Sequence, residues 1–128
     1  MRGILDTSVF IAGEQGRPLQ SDLLPTEAAI SVVTLAELML GVHMARSDDV
    51  RARRLATVSA LRSTYIALPI DDDVASAFAE LVAAARRAGR RAKVQDAWIA
   101  ATARAHGVAI YTQDRDFDDL LGLDIVRV

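Results

Sequence analysis

The sequence predicts an α/β fold: a mostly parallel sheet of about five strands with helices on both faces. Three observations predict it. Short apolar runs alternate along the chain with longer stretches of helical periodicity, the pattern of strand–helix crossovers. No repeat, linker or low-complexity segment interrupts this alternation, so residues 1–128 are expected to form a single domain. A hydrophobic content of 52% beside 25% charged residues suits one compact core and argues against disorder.

The elements follow in order. Gly3 to Leu5 is a short apolar run, read as the first strand, and it stops at the capping cluster Asp6-Thr7-Ser8. A helix begins over Val9 to Ala12, and Gly13, Gly16 and Pro18 then predict a loop with short helical turns from Gly13 to Pro25. Ala28 to Val33 reads as the second strand. Thr34 then caps a helix, with Glu37 three residues on completing a capping box. Asp48-Asp49 opens another helix, whose apolar positions are Val50, Leu55, Val58 and Leu61. Tyr65 to Leu68 is a short third strand. Asp71-Asp72-Asp73 reads as a helix N-terminus, capped by Asp71 or Asp72, rather than as a catalytic triplet. That helix ends near Gly89.

The stretch from Val94 to Ala105 is Ala-rich and reads as a helix with Asp96 in its first turn. Its small residues permit close packing on a sheet, which would mount Asp96 rigidly at a rim. Gly107 suits the end of the helix. Val108 to Tyr111 is the fourth strand. A short helix closing at Leu120 to Leu123 and a last strand over Asp124 to Val128 complete the chain.

Composition narrows the function. A net charge of −2 disfavours a protein whose main task is coating nucleic acid. The absence of cysteine removes disulfides, thiolate metal sites and Cys nucleophiles together. No apolar run is long enough to span a bilayer, and Asp6 interrupts the N-terminal apolar stretch, so no signal peptide is read there. A cytoplasmic location is the expectation.

In an open parallel sheet, function lies at the carboxyl ends of the strands. Asp6 follows the first strand directly, and Asp114 follows the fourth, with Asp116 two residues on. Glu37 lies in the helix leaving the second strand. Asp96 begins the helix that feeds the fourth, so it starts at the same edge. Four separated segments therefore deliver carboxylates to one rim. Crowded carboxylates repel, and burying them uncompensated is costly. Hard oxygen donors suit Mg²⁺ or Mn²⁺, ions that typically act on phosphate esters. His43 and His106 fall at helix positions where a solvated histidine is the ordinary expectation.

At this point the sequence resembles the PIN-domain ribonucleases, and among them the VapC toxins of VapBC toxin–antitoxin systems. The resemblance rests on I-L-D-T-S-V-F-I-A at 4–12, V-T-L-A-E-L-M-L-G at 33–41, V-Q-D-A-W-I-A-A-T-A at 94–103 and I-Y-T-Q-D-R-D-F at 110–117. It implies a PIN-like fold in which Asp6, Glu37, Asp96 and Asp114 are the catalytic, metal-binding quartet, with Asp116 as an additional acid. Thr7, Ser8 and Thr112 are implied as supporting residues. The implied reaction is Mg²⁺- or Mn²⁺-dependent hydrolysis of RNA by a metal-activated water, leaving a 5′-phosphate and a 3′-hydroxyl. The implied partners are a VapB-type antitoxin and a second copy of the chain.

Two further readings concern partners. Arg86, Arg87, Arg90, Arg91 and Lys93 could hold an RNA backbone beside the acids. Apolar helical positions including Leu35, Leu38, Met39, Met44, Leu55 and Val58 could line an antitoxin groove, although core packing accounts for most of them. Trp98 fits buried packing better than an exposed stacking platform. Three rival functions make different demands on the sequence. A receiver-type phosphoacceptor needs adjacent acids after the first strand, and Thr7 stands there; it also needs a late-strand lysine, whereas Lys93, the only lysine, precedes a helix. A phosphohydrolase with an Asp nucleophile needs a second Asp where Ser8 stands. A non-catalytic domain retaining the fold would use the acids only to bind an ion.

Overall fold

The computed structural model describes residues 2–128. Five strands form one sheet: β1 (Arg2–Leu5), β2 (Glu27–Ser31), β3 (Ala67–Leu68), β4 (Ala109–Thr112) and β5 (Ile125–Arg127). Their order is β3-β2-β1-β4-β5, and every neighbouring pair is parallel. Five α-helices connect them: α1 (Thr7–Gln15), α2 (Val32–His43), α3 (Asp48–Thr64), α4 (Asp72–Arg87) and α5 (Val94–Ala105).

The strands are buried on both faces, as a parallel sheet requires. Alternate side chains therefore feed two cores. Ile4 and Ile110 point to one face, where Val74, Leu81 and Ala85 of α4 and Ala97, Ile99 and Ala100 of α5 cover them. Leu5 and Tyr111 point to the other, beneath Val9 of α1, Leu38 of α2 and Val58 and Leu61 of α3. The small face of α5 lets it lie close to the sheet: Ala97, Ala100 and Ala101 are fully buried. Trp98 stacks on Phe78 of α4 at 3.8 Å between ring centroids and 15° between planes.

β1 is central, and the chain leaves it toward β2 on one side while β4 lies on the other. This is a switch point, the place where open parallel sheets bind their ligands beyond the carboxyl ends of the strands. Gly3 makes their close approach possible. A Cβ there would fall 2.2 Å from Cε1 of the Tyr111 ring.

Several boundaries differ from the sequence reading. β2 ends at Ser31, because its hydroxyl accepts the Val33 N–H at 3.1 Å and starts α2 at Val32. The β-branched Val32 and Val33 look like strand residues but form the first helical turn. α1 begins at Thr7 and runs through Gly13 to Gln15, stopping where Gly16 adopts φ 69°. The third strand is only Ala67–Leu68. The last helical segment is a 3₁₀ turn at Asp116–Asp119 rather than a helix closing at residues 120–123. Among the described residues, no helix is long and apolar enough to cross a membrane.

Candidate metal centre

Asp6 leaves β1 and becomes the N-cap of α1, with Oδ2 accepting the Ser8 N–H at 3.3 Å. It is almost fully buried. The same Oδ2 accepts a 2.8 Å hydrogen bond from Thr112 Oγ1, at the end of β4. Thr112 has one hydroxyl proton, and this bond uses it. The other neighbours of Thr112 Oγ1 must therefore donate to it: the Asp114 N–H at 2.8 Å and the Ser8 hydroxyl at 3.1 Å. Ser8 Oγ in turn accepts the Gln113 N–H at 3.0 Å. Thr112 and Ser8 thus join the ends of β1 and β4 and fix where Asp6 and Asp114 stand.

Glu37 does not serve Thr34. With α2 starting at Val32, Thr34 lies inside the helix and is buried, so the capping box expected from the sequence does not form. Glu37 instead lies in the second turn and accepts a 2.8 Å hydrogen bond from Thr7 Oγ1. Thr7 Oγ1 is also 3.1 Å from Thr34 Oγ1. The first turns of α1 and α2 are thereby tied together, and Glu37 is turned toward Asp6.

Asp96 stands in the first turn of α5, buried, although the N-cap Lys93 offers no side-chain cap. Its Oδ2 is buried without a hydrogen-bond partner. Carboxylate oxygens of Asp96, Asp114 and Asp116 lie within 4.8 Å of one another. Asp114 Oδ1 accepts the Asp116 N–H at 2.8 Å, and Asp116 Oδ2 pairs with Lys93 Nζ at 2.5 Å.

The charges respond to this crowding. Burial, then the nearby carboxylates of Asp6, Asp114 and Asp116, push the Asp96 carboxyl up to about 7, against a small opposing pull from Lys93. Burial and the Asp6 charge also raise Glu37, while the Thr7 hydrogen bond holds it down. Lys93 is held cationic by Asp116. A buried carboxylate with an unpartnered oxygen, clustered with two further carboxylates, is costly unless a cation completes it. The oxygen-only donor set fits a hard divalent cation.

The candidate residues are thus divided into a tight trio and a supporting wall. Asp96, Asp114 and Asp116 form the trio; Asp6 stands next to it with its outward oxygen geometry set by Thr112; Glu37 joins on the far side of Asp6. Asp71 caps α4 through the Val74 N–H at 2.9 Å, and it takes no part in the site. His43 and His106 lie at the last turn of α2 and the end of α5. His106 is a helix length, about 15 Å at 1.5 Å per residue, from the Asp96 end.

Two grooves flank the acids. One, of about 430 Å³, runs between α1, α2 and α3 and reaches Thr7 and Glu37. Leu38 lines it as the sequence suggested, with Ile11 and Val50. Glu14, Arg53 and Arg54 also line it, and sequence reasoning did not single these out. Arg54 Nη1 is anchored on Gly41 O at 2.6 Å. Val58 belongs to the core, whereas Met39, Met44 and Leu55 are exposed. The second groove, of about 340 Å³, lies between α4 and α5 beside the first turn of α5. Arg86, Arg90 and Arg91 line it; Arg87 is exposed outside it. Thr34 and Gln113 were also missed as site residues. Thr34 reads from sequence as a cap, and the three hydrogen bonds by which Gln113 braces the loop are long-range.

Comparison with known proteins gives a consistent picture. The PIN domain family model matches residues 3–122. The chain is 46% identical to Ribonuclease VapC5 of Mycobacterium tuberculosis, over 98% of this chain and 95% of that protein. It is 42% identical to Ribonuclease VapC4 of the same organism, over 99% and 97%. A crystal structure of VapBC-5, a member of the VapBC family of toxin–antitoxin systems from M. tuberculosis, superposes with a TM-score of 0.90 at 44% identity. That match covers 99% of this chain and 98% of the other.

Proposed function

The chain belongs to the PIN domain family and resembles its VapC ribonucleases over nearly its whole length, and from this we propose that it is the toxin of a type II toxin–antitoxin pair. On this reading residues 1–128 work as one PIN domain, an endoribonuclease dependent on Mg²⁺ or Mn²⁺. The observation that carries it is the clustering of the buried Asp96, whose Oδ2 has no hydrogen-bond partner, with Asp114 and Asp116. Asp6, Glu37, Asp96 and Asp114 would hold the ion, with Asp116 beside them. When bound, the ion supplies a water of lowered pKa and a positive charge for the phosphate oxygens.

The chain's own residues do the rest. Thr112 and Ser8 hold Asp6 and the Asp114 backbone in register. Thr7 donates to Glu37 and opposes the rise that burial gives its carboxyl. Lys93 neutralises Asp116 and adds a cation at the rim where a polyanion arrives. The Ser8 oxygen is engaged with Gln113 and Thr112, so it braces the loop and is not a nucleophile. Arg86, Arg87, Arg90 and Arg91 continue the positive rim for the RNA backbone.

A VapB-type antitoxin would lay a segment along the groove between α1, α2 and α3. Its apolar wall of Ile11, Leu38 and Val50 and its charged residues Glu14, Glu37, Arg53 and Arg54 suit a peptide. Exposed Leu40, Met44 and Ile66 leave apolar surface for that partner or for a second copy in a homodimer.

The test is cleavage of a total-RNA pool by purified protein with Mg²⁺ or Mn²⁺, beside EDTA and Asp96→Asn. Cleavage in the first arm only, with 5′-phosphate ends, is the expected result. An inert wild type that is folded and free of antitoxin would overturn the enzyme reading and leave a non-catalytic ion-binding domain.

A further inference from the structure

The groove between α4 and α5 offers more than charge. Its floor is apolar, made by Phe78, Val82 and Ala97, and its rim carries Arg86, Arg90 and Arg91. No acidic side chain lines it. The Phe78 ring is held in plane by its stack on Trp98. Arg90 is braced by its Nη1 donating to Asp118 O at 2.9 Å. Ala97 follows Asp96 directly, so the floor of the groove and the orphaned carboxylate share one turn of α5.

We propose that this groove is a base-binding subsite, which takes one unstacked nucleobase of a single-stranded RNA lying next to the phosphate at the acids. The proposal rests on the ribonuclease reading for its place in a reaction, and it goes beyond backbone binding. Arginines that only hold phosphates need no apolar floor. A flipped base needs both: an aromatic or aliphatic wall, and guanidinium planes that stack on it or bond its edge. The opposite groove is the poorer seat for a polyanion, because Glu14 and Glu37 offset Arg53 and Arg54 there. Because Ala97 follows Asp96 and Lys93 precedes α5, a strand entering at the α4–α5 groove would come in at the end of α5 that bears the acids. The subsite therefore sets sequence preference at a position adjoining the cut, while the acids, which read only phosphate, set none.

The experiment scans 2-aminopurine, a base whose emission falls when it stacks, through a short single-stranded RNA bound by the protein in EDTA. Emission should drop at one position only. Removing the base at that position should weaken binding roughly ten-fold. In Arg86→Ala/Arg91→Ala, whose changes are confined to exposed side chains, both the local drop and the abasic penalty should shrink together. Unchanged emission at every position overturns the proposal, as does a drop or an abasic penalty that persists in the double variant. The first of these is also the result if a second copy or a protein partner occupies the groove. Cleavage in Mg²⁺ is read separately. A quench without cleavage keeps the subsite and removes the nuclease; cleavage with flat emission does the reverse.

Discussion

Asp96 is the residue at which the stability of this protein and its chemistry are opposed. Its carboxyl is pushed up to about 7 in the fold, against 3.8 without the fold. Between those values the folded state binds a proton that the unfolded state has lost, so stability falls as pH rises from about 4 to 7 and then levels. In EDTA, wild-type Tm should therefore be lower at pH 8 than at pH 5. Asp96→Asn should flatten that slope and raise Tm at pH 8 by ~5 °C, for a gain of ~1 kcal/mol or more, while lowering RNA cleavage about a hundred-fold or more. A variant no more stable than wild type at pH 8 would mean that the carboxylate is not strained. Thr7 gives a second test at this scale. Thr7→Val removes the one contact that lowers the Glu37 pKa, so the acid limb of the rate profile should move to higher pH and the rate at pH 7 fall roughly ten-fold. Thr7→Ser should restore both. The sequence could not reveal this contact. Thr34 and Glu37 stand at capping-box spacing, and only the one-turn-earlier start of α2, set by Ser31, frees Glu37 for Thr7.

Elements fail or hold at their ends. The Asp71-Asp72-Asp73 run read correctly as a helix start because a local rule governs it: an Asp side chain accepting the N–H three residues on. Asp71→Ala should lower Tm by ~4 °C, the effect of ~1 kcal/mol at this size, and leave RNA cleavage by the folded protein unchanged. A loss of cleavage would place that acid in the site after all. The β1–β4 pairing is the opposite case, since nothing local announces it. Gly3 looks like an ordinary strand-start glycine, yet the Tyr111 ring fills the space its side chain would take. Gly3→Ala should destabilise by ~2 kcal/mol or more, visible as a Tm loss in thermal melts. The helix read as stopping at Gly13 shows the same limit from the other side. A glycine signal is real, but α1 passes through it and stops at Gly16, where the backbone turns left-handed.

For the molecule as a whole, alternation of short apolar runs with helical stretches was enough to read a parallel sheet and to bring four acidic segments to one edge. Strand order was not legible, because no sequence rule says that β4 lies beside β1 rather than β3. The two grooves were not legible either. They depend on how the helices pack on one another, so no local pattern told that Glu14 of α1 and Arg53 and Arg54 of α3 share one groove. Metal should act on the whole fold and not only on the rate. An ion that binds the folded acids alone stabilises by mass action, so millimolar Mg²⁺ or Mn²⁺ should raise wild-type Tm and leave Asp96→Asn nearly unmoved. Equal shifts in both proteins would show that the ion acts elsewhere.

The hydrogen bond from Thr112 to Asp6 spans 106 residues, and its consequence is one of timing during synthesis. A ribosome-bound chain that has exposed β1, α1, β2 and α2 already carries Asp6 and Glu37. It lacks the strand that orients Asp6 and the loop that bears Asp114 and Asp116. The all-parallel order offers no early hairpin that could assemble part of the site. On the proposed nuclease reading, cutting activity would therefore wait until β4 and the loop after it have left the exit tunnel. A stalled or prematurely terminated product ending before residue 109 should be inert, however much of it accumulates.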